Sequence, residues 1–453
     1  MRKLYPQITQ ISLILFLSLC LCSVATAQKT PKRKKLKDFG SSLKRLKWNP
    51  EKKTALGPSA QGAGANSDED DVIRVDTSLV TCELLVVDQH GKSVAGLTAG
   101  DFSIAEDDAP QTVGHFLLGD NISVPRTIVL IIDYSGSQLP YLKNSITAAK
   151  VLVDKLGPKD LMAIVTDDVE LIQDFTPDKQ KLKKKLDSLQ ERAEHSTLQF
   201  GGFTFAGPQL GRSKQYSALM ATLNEAFDET DVRPIVIFQT DGDEALFLHD
   251  STVGFTVPEG LEGEELEAAK RMAESYRQSF KTSQTEFSLD DIYRTVERSR
   301  ATVYTVIPGL KLMGLPPGEQ LVKHLTQRDP MLFGSLNRLS PEDKAKMEDR
   351  VKKLPYDPNI LNARWRVTLD ANMQVALSGV AALTGGWTEF LERPEQAEGI
   401  YARIFTDINQ RYIVGYYPTN KERDGKRRKI DFAVKAHPDY QIFGRRSYFA
   451  PNQ

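Results

Sequence analysis

Between residues 126 and 410, short apolar runs alternate with segments of helical periodicity. The clearest run is Thr127–Ile132, and similar runs occur at Leu161–Val165, Pro234–Phe238 and Ala301–Ile307. Continuous apolar strands of this kind are buried on both faces, and the helices between them supply the covering layers. The pattern therefore predicts an α/β fold with a doubly wound, mostly parallel sheet.

Two groups of shorter strand patterns lie on either side of this region. Residues 72–120 hold apolar runs separated by turn residues, and residues 411–453 hold a second set around a charged loop at Asn420–Arg428. Neither group contains enough apolar residues to form a stable domain alone. We therefore expect one flanking β-sandwich built from the N-terminal and C-terminal strands.

The sequence divides into five predicted parts, with two insertions in the fourth at about 245–287 and 310–370. The parts are a signal peptide at 1–27, a basic arm and linker at 28–71, an N-terminal β segment at 72–120, an α/β domain at 121–410, and a C-terminal β segment at 411–453 that pairs with 72–120.

The first 27 residues have the features of an export signal. Arg2 and Lys3 precede an apolar run at Ile11–Ala25, and Ala25-Thr-Ala27 forms a small-x-small cleavage site. This pattern predicts cleavage near Ala27 and a secreted or periplasmic protein. Of the three cysteines, only Cys82 follows the predicted cleavage site, which excludes a disulfide framework and a thiolate metal cluster.

Charge is distributed unevenly along the chain. The net charge of −1 excludes a globally basic nucleic-acid-binding protein, yet residues 28–53 hold 11 Lys or Arg against 2 Asp or Glu. Leu36, Phe39, Leu43 and Leu46 recur there at helical spacing. One hypothesis is a helix that contacts an anionic membrane surface through residues 29–53. The other is a solvated spacer, which the composition favours.

Oxygen-bearing side chains follow two of the predicted strands directly. Asp133, Ser135 and Ser137 come after Ile132, and Asp241 comes after Phe238. Parallel sheets place their sites just beyond the carboxyl ends of the strands, so we expect these loops to meet. Carboxylates and hydroxyls are hard ligands that suit Mg²⁺, with Mn²⁺ or Ca²⁺ as alternatives, and do not suit Zn²⁺ or copper.

The pattern Asp133-x-Ser135-x-Ser137, followed later by Thr-Asp241-Gly, resembles the metal-ion-dependent adhesion site (MIDAS) of the von Willebrand factor type A (VWA) domain. The resemblance implies a VWA-type, Rossmann-like sheet and a third hydroxyl ligand from a middle loop. Its counterpart is Ser213, just before the helix start Tyr216-Ser-Ala-Leu, with Thr204 as the alternative. It further implies that Asp241 reaches the ion through water.

The flanking segments are also similar to one group of VWA proteins. Asp101-Phe102, Thr384-Gly-Gly386, Tyr412–Tyr416 and Arg446–Ala450 resemble the secreted bacterial VWFA-related (acidobacterial-type) family, and the similarity covers most of 72–450 outside the insertions. It implies an exported metal-dependent binding or adhesion module, not an enzyme. The metal would take an Asp or Glu carboxylate from a protein partner.

Other functions stay open at this point. A metal-assisted hydrolase would need a general base, for which Asp243 or Glu244 is available. An envelope scaffold with an unused metal site is another alternative. A separate alternative is that Asp133 only caps the helix that follows it. A serine hydrolase is disfavoured because Gly-x-Ser-x-Gly does not occur in the sequence. The ligand, the oligomeric state and the role of the insertions do not follow from the sequence.

Overall fold

The structure is a computed structural model. It describes residues 35–56, 79–118, 125–195, 197–200, 203–206, 213–228, 231, 233–253, 256–327, 340–342, 345–346 and 358–451. The predicted signal peptide and the linker at 57–71 lie outside these residues. Among the described helices, none combines the length and the apolar character that crossing a bilayer requires.

The described residues form strands and helices throughout. The strands are β1 (Lys47–Asn49), β2 (Thr54–Leu56), β3 (Val80–Val87), β4 (Phe102–Glu106), β5 (Ala109–Gln111), β6 (Val113–Leu118), β7 (Arg126–Ile132), β8 (Leu161–Thr166), β9 (Leu171–Thr176), β10 (Thr197–Phe200), β11 (Phe203–Ala206), β12 (Arg233–Gln239), β13 (Thr302–Pro308), β14 (Thr388–Leu391), β15 (Tyr412–Tyr416), β16 (Arg427–Val434), β17 (Gln441–Phe443) and β18 (Ser447–Phe449). The helices are α1 (Leu142–Asp154), α2 (Lys179–His195), α3 (Gln215–Glu225), α4 (Gly263–Phe280), α5 (Leu289–Arg298), α6 (Pro317–Gln327), α7 (Pro358–Leu383) and α8 (Ala397–Gln410). Short 3-10 turns occupy Leu43–Arg45, Ala99–Asp101, Gly136–Tyr141, Asp243–Phe247, Lys281–Ser283 and Pro394–Gln396.

The central sheet has the strand order β14-β13-β12-β7-β8-β9. Its neighbouring strands are parallel except for β9, which runs antiparallel to β8. The predicted α/β fold with a mostly parallel sheet is therefore confirmed. The chain passes from β7 to β8 on one side and later returns to place β12 on the other side. This reversal beside β7 is where open α/β sheets bind their ligands.

Helices cover both faces of this sheet. On one face, α1, α2 and α8 pack against Ile128, Leu130 and Ile132 of β7. On the other face lie α3, α5 and α7, where the ring of Tyr216 packs edge-on against Phe238 at 5.9 Å between centroids. Successive side chains of a strand point to opposite faces of the sheet, and in β7 and β12 the side chains on both faces are buried. The apolar runs in the sequence are therefore continuous.

The strands from the two ends of the chain form the predicted sandwich, in sheets ordered β17-β3-β15-β6 and β18-β16-β4-β5. Strand β3 hydrogen-bonds to β15 on one side and to β17 on the other. In β16, Ile430, Phe432 and Val434 point inward at every second position and meet Leu84 and Val86 of β3. The prediction that both ends of the chain share one sandwich is confirmed.

Buried ion pairs connect the sandwich to the α/β region. The Arg233 guanidinium at the start of β12 donates to Glu83 of β3 at 3.2 Å. Arg411, which is fully buried, donates to Asp407 at 2.8 Å and to the carbonyl of Gly385 at 2.6 Å. The backbone of Gly385 lies directly against Gly444 at a positive φ of 79°, so no side chain fits at this crossing.

The described part of the basic arm, residues 35–56, differs from both hypotheses. No helix forms between Leu36 and Leu46, because Asp38 and Gly40 adopt positive φ angles and only a single 3-10 turn follows. Nor do residues 40–56 form a solvated spacer: strands β1 and β2 pair as a hairpin, and the segment is held by acidic groups of the body. Gly40 and Ser42 donate backbone hydrogen bonds to Glu225 at the end of α3, and Ala55 donates one to Asp291 of α5.

The two predicted insertions share one support, the 26-residue helix α7. Leu321 of α6 packs against Val367, and Leu261 and Ala269 pack against Leu361. Helix α7 begins inside the second predicted insertion and continues beyond it to Leu383.

Candidate functional site

The register of the central sheet brings three loops together at its carboxyl edge. The last residue of β7, Ile132, pairs with Gln239 of β12 on one side and with Thr166 of β8 on the other. The residues that follow these positions are Asp133, Thr240 and Asp167. These three residues therefore leave the sheet side by side at the point where the strand order reverses.

Asp133 is the centre of the hydrogen-bond network at this edge. Its side chain is buried, and Oδ1 accepts a hydrogen bond from the backbone N–H of Ser135 at 3.0 Å. The other oxygen, Oδ2, accepts from Thr240 Oγ1 at 2.7 Å and from Gln215 Nε2 at 2.9 Å. The loop after β7, the loop after β12 and the start of α3 thus all meet at one carboxylate.

The two predicted serines of the first loop lie together beside Asp133. The hydroxyl oxygens of Ser135 and Ser137 are 3.1 Å apart, and Ser137 donates to Asp243 Oδ2 at 3.4 Å. Ser135 is buried whereas Ser137 is exposed, so the pair runs from the inside of the site to its surface. Both serines are where the sequence places them, next to Asp133.

Asp241 and Asp243 enter the site from the loop after β12. Gln138 Nε2 donates to Asp241 Oδ2 at 2.7 Å. Gln215 Nε2 lies 3.5 Å from Asp241 Oδ1 and 2.6 Å from Asp243 Oδ1. Asp241 and Asp243 therefore share the Gln215 amide with Asp133 and belong to the same cluster.

Ser213 lies at the edge of this cluster, next to a fourth carboxylate. Its hydroxyl is buried and lies 3.4 Å from Asp167 Oδ2, while Asp167 Oδ1 accepts from the backbone N–H of Tyr134 at 3.0 Å. The alternative ligand, Thr204, belongs to strand β11, and its side chain lies outside the part of the structure that is described.

The crowded carboxylates change one another's protonation. Burial raises the pKa of Asp167 and of Asp241 well above the ordinary value, and neighbouring carboxylates add to the effect, Asp133 for the first and Asp243 for the second. Burial followed by repulsion from Asp133 also raises the pKa of Asp243, although hydrogen bonds from Gln215, Ser213 and Ser137 partly oppose this. Such a cluster of carboxylates favours the binding of a positively charged group or ion.

The donor chemistry of the cluster fits a hard divalent cation. Within the described residues, no group of three or more His, Cys, Asp or Glu side chains is arranged to hold a metal by itself. The predicted ligands include hydroxyls as well as carboxylates, and these are all oxygen donors. In addition, the buried Oε1 atom of Gln138 accepts no hydrogen bond from the described residues, which leaves one acceptor of the site available.

Sequence reasoning missed two members of the cluster. Asp167 directly follows strand β8, which ends at Thr166, so the rule that located Asp133 would also have located it. Gln215 carries no comparable signal, because its position depends on how the first turn of α3 packs against the loops after β7 and β12.

Comparison with known proteins gives matches in structure only. No family model matches the chain, and no curated protein matches it. The crystal structures that resemble it include proteins with VWA domains. The vWF domain of the type V pili tip protein Mfa5 from Porphyromonas gingivalis is 15% identical over 63% of this chain and 95% of that chain, with a TM-score of 0.30.

Two further crystal structures are similar to the chain to the same degree. A von Willebrand factor type A protein from Catenulispora acidiphila is 10% identical over 83% of this chain and 74% of that chain, with a TM-score of 0.30. An aerotolerance-related membrane protein from Bacteroides fragilis is 14% identical over 63% and 98%, with a TM-score of 0.29. At these values we draw no conclusion about function from them, and the fold class rests on the strand order and direction of the central sheet.

Proposed function

We propose that this chain is an exported, metal-dependent protein-binding or adhesion module of the VWFA-related kind. Mg²⁺, or Mn²⁺ or Ca²⁺, would be held by Asp133, Ser135, Ser137 and Ser213, with Asp241 acting through water. The observation that supports this most is the meeting of carboxylate and hydroxyl oxygens where the strand order of the sheet reverses beside β7. Cation sites with hydroxyl ligands keep positive charge for a further anionic ligand.

A bound cation would supply Lewis acidity toward a carboxylate oxygen of a partner protein. The protein's own part is to hold Asp133 in place through Thr240 and Ser135 and to keep the Ser137 hydroxyl at the exposed end of the site. An Asp or Glu side chain of the partner would reach the site from that exposed end. In a partly desolvated cleft its attraction to the ion exceeds the value in water.

The hydrolase alternative has less support from the contacts. Its first candidate base, Glu244, is buried and accepts hydrogen bonds from Ser217 N at 2.9 Å and Ser217 Oγ at 2.6 Å. This carboxylate ties the turn after β12 to the start of α3. The second candidate, Asp243, is occupied by the Gln215 amide.

Selection from a random peptide library tests the proposal without a known partner. The bait is the mature chain in Mg²⁺, and bound peptides are released with EDTA. We expect enrichment of peptides with Asp or Glu whose binding is lost when the acid becomes its amide. The Asp133→Ala bait should enrich none of them, whereas Asp187→Ala, which removes an exposed carboxylate of α2, should behave as wild type. Peptides that stay bound in EDTA and to the Asp133→Ala bait would contradict the proposal.

A further inference from the structure

The side-chain amide of Gln215 occupies the space between three carboxylates. Its Nε2 atom lies 2.6 Å from Asp243 Oδ1, 2.9 Å from Asp133 Oδ2 and 3.5 Å from Asp241 Oδ1. An amide NH₂ carries two hydrogens, so it can donate fully to only two of these three oxygens. One amide nitrogen therefore lies within 3.5 Å of an oxygen from each of three acidic side chains.

The orientation of this amide is fixed from the other side. Gln215 Oε1 accepts the backbone N–H of Glu244 at 3.0 Å, and a flipped amide would turn its NH₂ group toward that N–H. Gln215 is fully buried as the first residue of α3. The same first turn of the helix is held in place by the hydrogen bonds from Ser217 to Glu244. The NH₂ group is therefore held against the carboxylates by the fold itself.

We infer that Gln215 is an affinity-setting residue that competes with the cation for the oxygens of Asp133 and Asp243. The inference rests on the proposed metal site and goes beyond it, because it concerns a residue outside the expected ligand set. Without a cation, the amide dipole partly neutralises the carboxylates. When a cation binds, these two hydrogen bonds must be given up, and this cost weakens binding.

A second buried amide at the same loops agrees with this interpretation. Gln138 donates to Asp241 through Nε2, while its Oε1 atom is buried with no donor among the described residues. Buried acceptors are normally satisfied, so this oxygen lacks a donor that a water molecule bound to a cation would supply.

Two substitutions of Gln215 test the effect of its NH₂ group on cation binding. Gln215→Glu keeps an oxygen acceptor for the Glu244 N–H and removes the NH₂ group, but it adds a charge. Gln215→Leu removes the NH₂ group without adding charge. Hydrogen bonds to charged groups are strong, so breaking them when the cation binds lowers the affinity of the wild type. Both variants lack these bonds and should bind Mg²⁺ about tenfold more tightly than wild type by isothermal titration. In EDTA, both should melt at a lower temperature.

Gln410→Glu is the matched control, because it makes the same chemical change at the opposite edge of the sheet. Gln410 is exposed at the end of α8, next to Asn409, which accepts a hydrogen bond from Arg126 at the start of β7. This variant should bind Mg²⁺ as wild type does.

The outcomes distinguish this inference from the proposed function. If wild type binds Mg²⁺ through Asp133 and neither Gln215 variant binds more tightly, the inference is wrong and the metal site stands. Tightening in Gln215→Glu alone would also overturn it, since added charge would explain the gain. If no variant and no wild-type protein binds Mg²⁺, Mn²⁺ or Ca²⁺, both are wrong. Binding that appears only when the amide is removed, and that Asp133→Ala abolishes, would support both.

Discussion

Thr240 Oγ1 donates a hydrogen bond of 2.7 Å to Asp133 Oδ2, and this bond joins the loops that follow two adjacent parallel strands. It fixes the carboxylate that the sequence identifies first, and the same oxygen accepts from Gln215. Any ligand of Asp133 therefore also affects the loop after β12 and the start of α3.

The first prediction is that Asp133→Ala abolishes stabilisation by Mg²⁺ with little loss of fold. The substitution removes the acceptor for Thr240 and Gln215, yet it also removes one of several carboxylates that repel one another. We expect the free energy of unfolding in EDTA to change by no more than about 1–3 kcal/mol. Thermal melting with and without Mg²⁺ measures this. A melting-temperature shift with Mg²⁺ that persists in the variant would contradict the assignment of Asp133.

The second prediction concerns pH in the absence of divalent cations. The folded-state pKa values of Asp167 and Asp241 lie above those of unfolded carboxyl groups. At any pH between the unfolded-state pKa and the folded-state pKa, the folded state therefore binds more protons than the unfolded state. Stability must then fall as the pH rises through this window. Urea unfolding in EDTA should give a lower free energy of unfolding at about pH 8 than at about pH 5.

Asp167→Asn is the control for the pH prediction. It removes one of the groups with a raised pKa, so the difference between the two pH values should become smaller. A wild-type protein that is more stable at the higher pH would count against the prediction.

The third prediction is that the C-terminal strands complete the N-terminal β segment. A chain that ends at Gln410 keeps the central sheet but loses β15 and β17, the two neighbours of β3. We expect residues 80–87 to lose protection from hydrogen exchange, because both edges of that strand become unpaired. Strand β7 serves as the internal control and should keep its protection. Unchanged exchange at 80–87 would show that the strand does not need these partners.

The fourth prediction is that the buried pair between Asp407 and Arg411 is essential for stability. Asp407→Ala leaves a fully buried guanidinium without its carboxylate, which should lower the free energy of unfolding by about 3–5 kcal/mol. Glu398 lies in the same helix as Asp407, is exposed and pairs with Lys155. Glu398→Ala should therefore lower the free energy of unfolding by less than about 1 kcal/mol. Chemical denaturation of both variants gives the comparison, and equal losses would contradict it.

The fifth prediction is that Cys82 does not react with alkylating reagents in the folded protein. The thiol is buried in the sandwich, and burial raises its pKa to about 12. At pH 8 only about one thiol in ten thousand would then be ionised. Labelling with iodoacetamide should be as slow as unfolding, and rapid labelling under native conditions would show that the sandwich is open.

The strands were the most predictable part of the fold. Runs such as Thr127–Ile132 and the alternation in Ile430–Val434 carry their burial pattern directly, so both the central sheet and the sandwich follow from them. The arm was not predictable in this way. Its leucines have helical spacing, but Asp38 and Gly40 break the helix, and Glu225 and Asp291 then bind its backbone from distant parts of the chain.

For the candidate site, the sequence predicts which loops carry the site residues better than it predicts which side chains contact one another. Asp133 and Asp241 follow buried strands, and a rule about strand ends is enough to place them together. The role of Gln215 depends on the packing of α3, which no local pattern encodes. The strand-end rule therefore brings Asp133 and Asp241 together, whereas Asp167 was overlooked and the amide between the carboxylates has no signal in the sequence.

The pairing of β3 with β15 and β17 also has a consequence for the order in which the chain folds. More than 300 residues separate Val80 from its partner Tyr416. Strand β3 therefore stays without its neighbouring strands until the rest of the chain has been synthesised. At the usual rate of synthesis this wait is on the order of tens of seconds. During that time the unpaired edges of the first strands are exposed to aggregation.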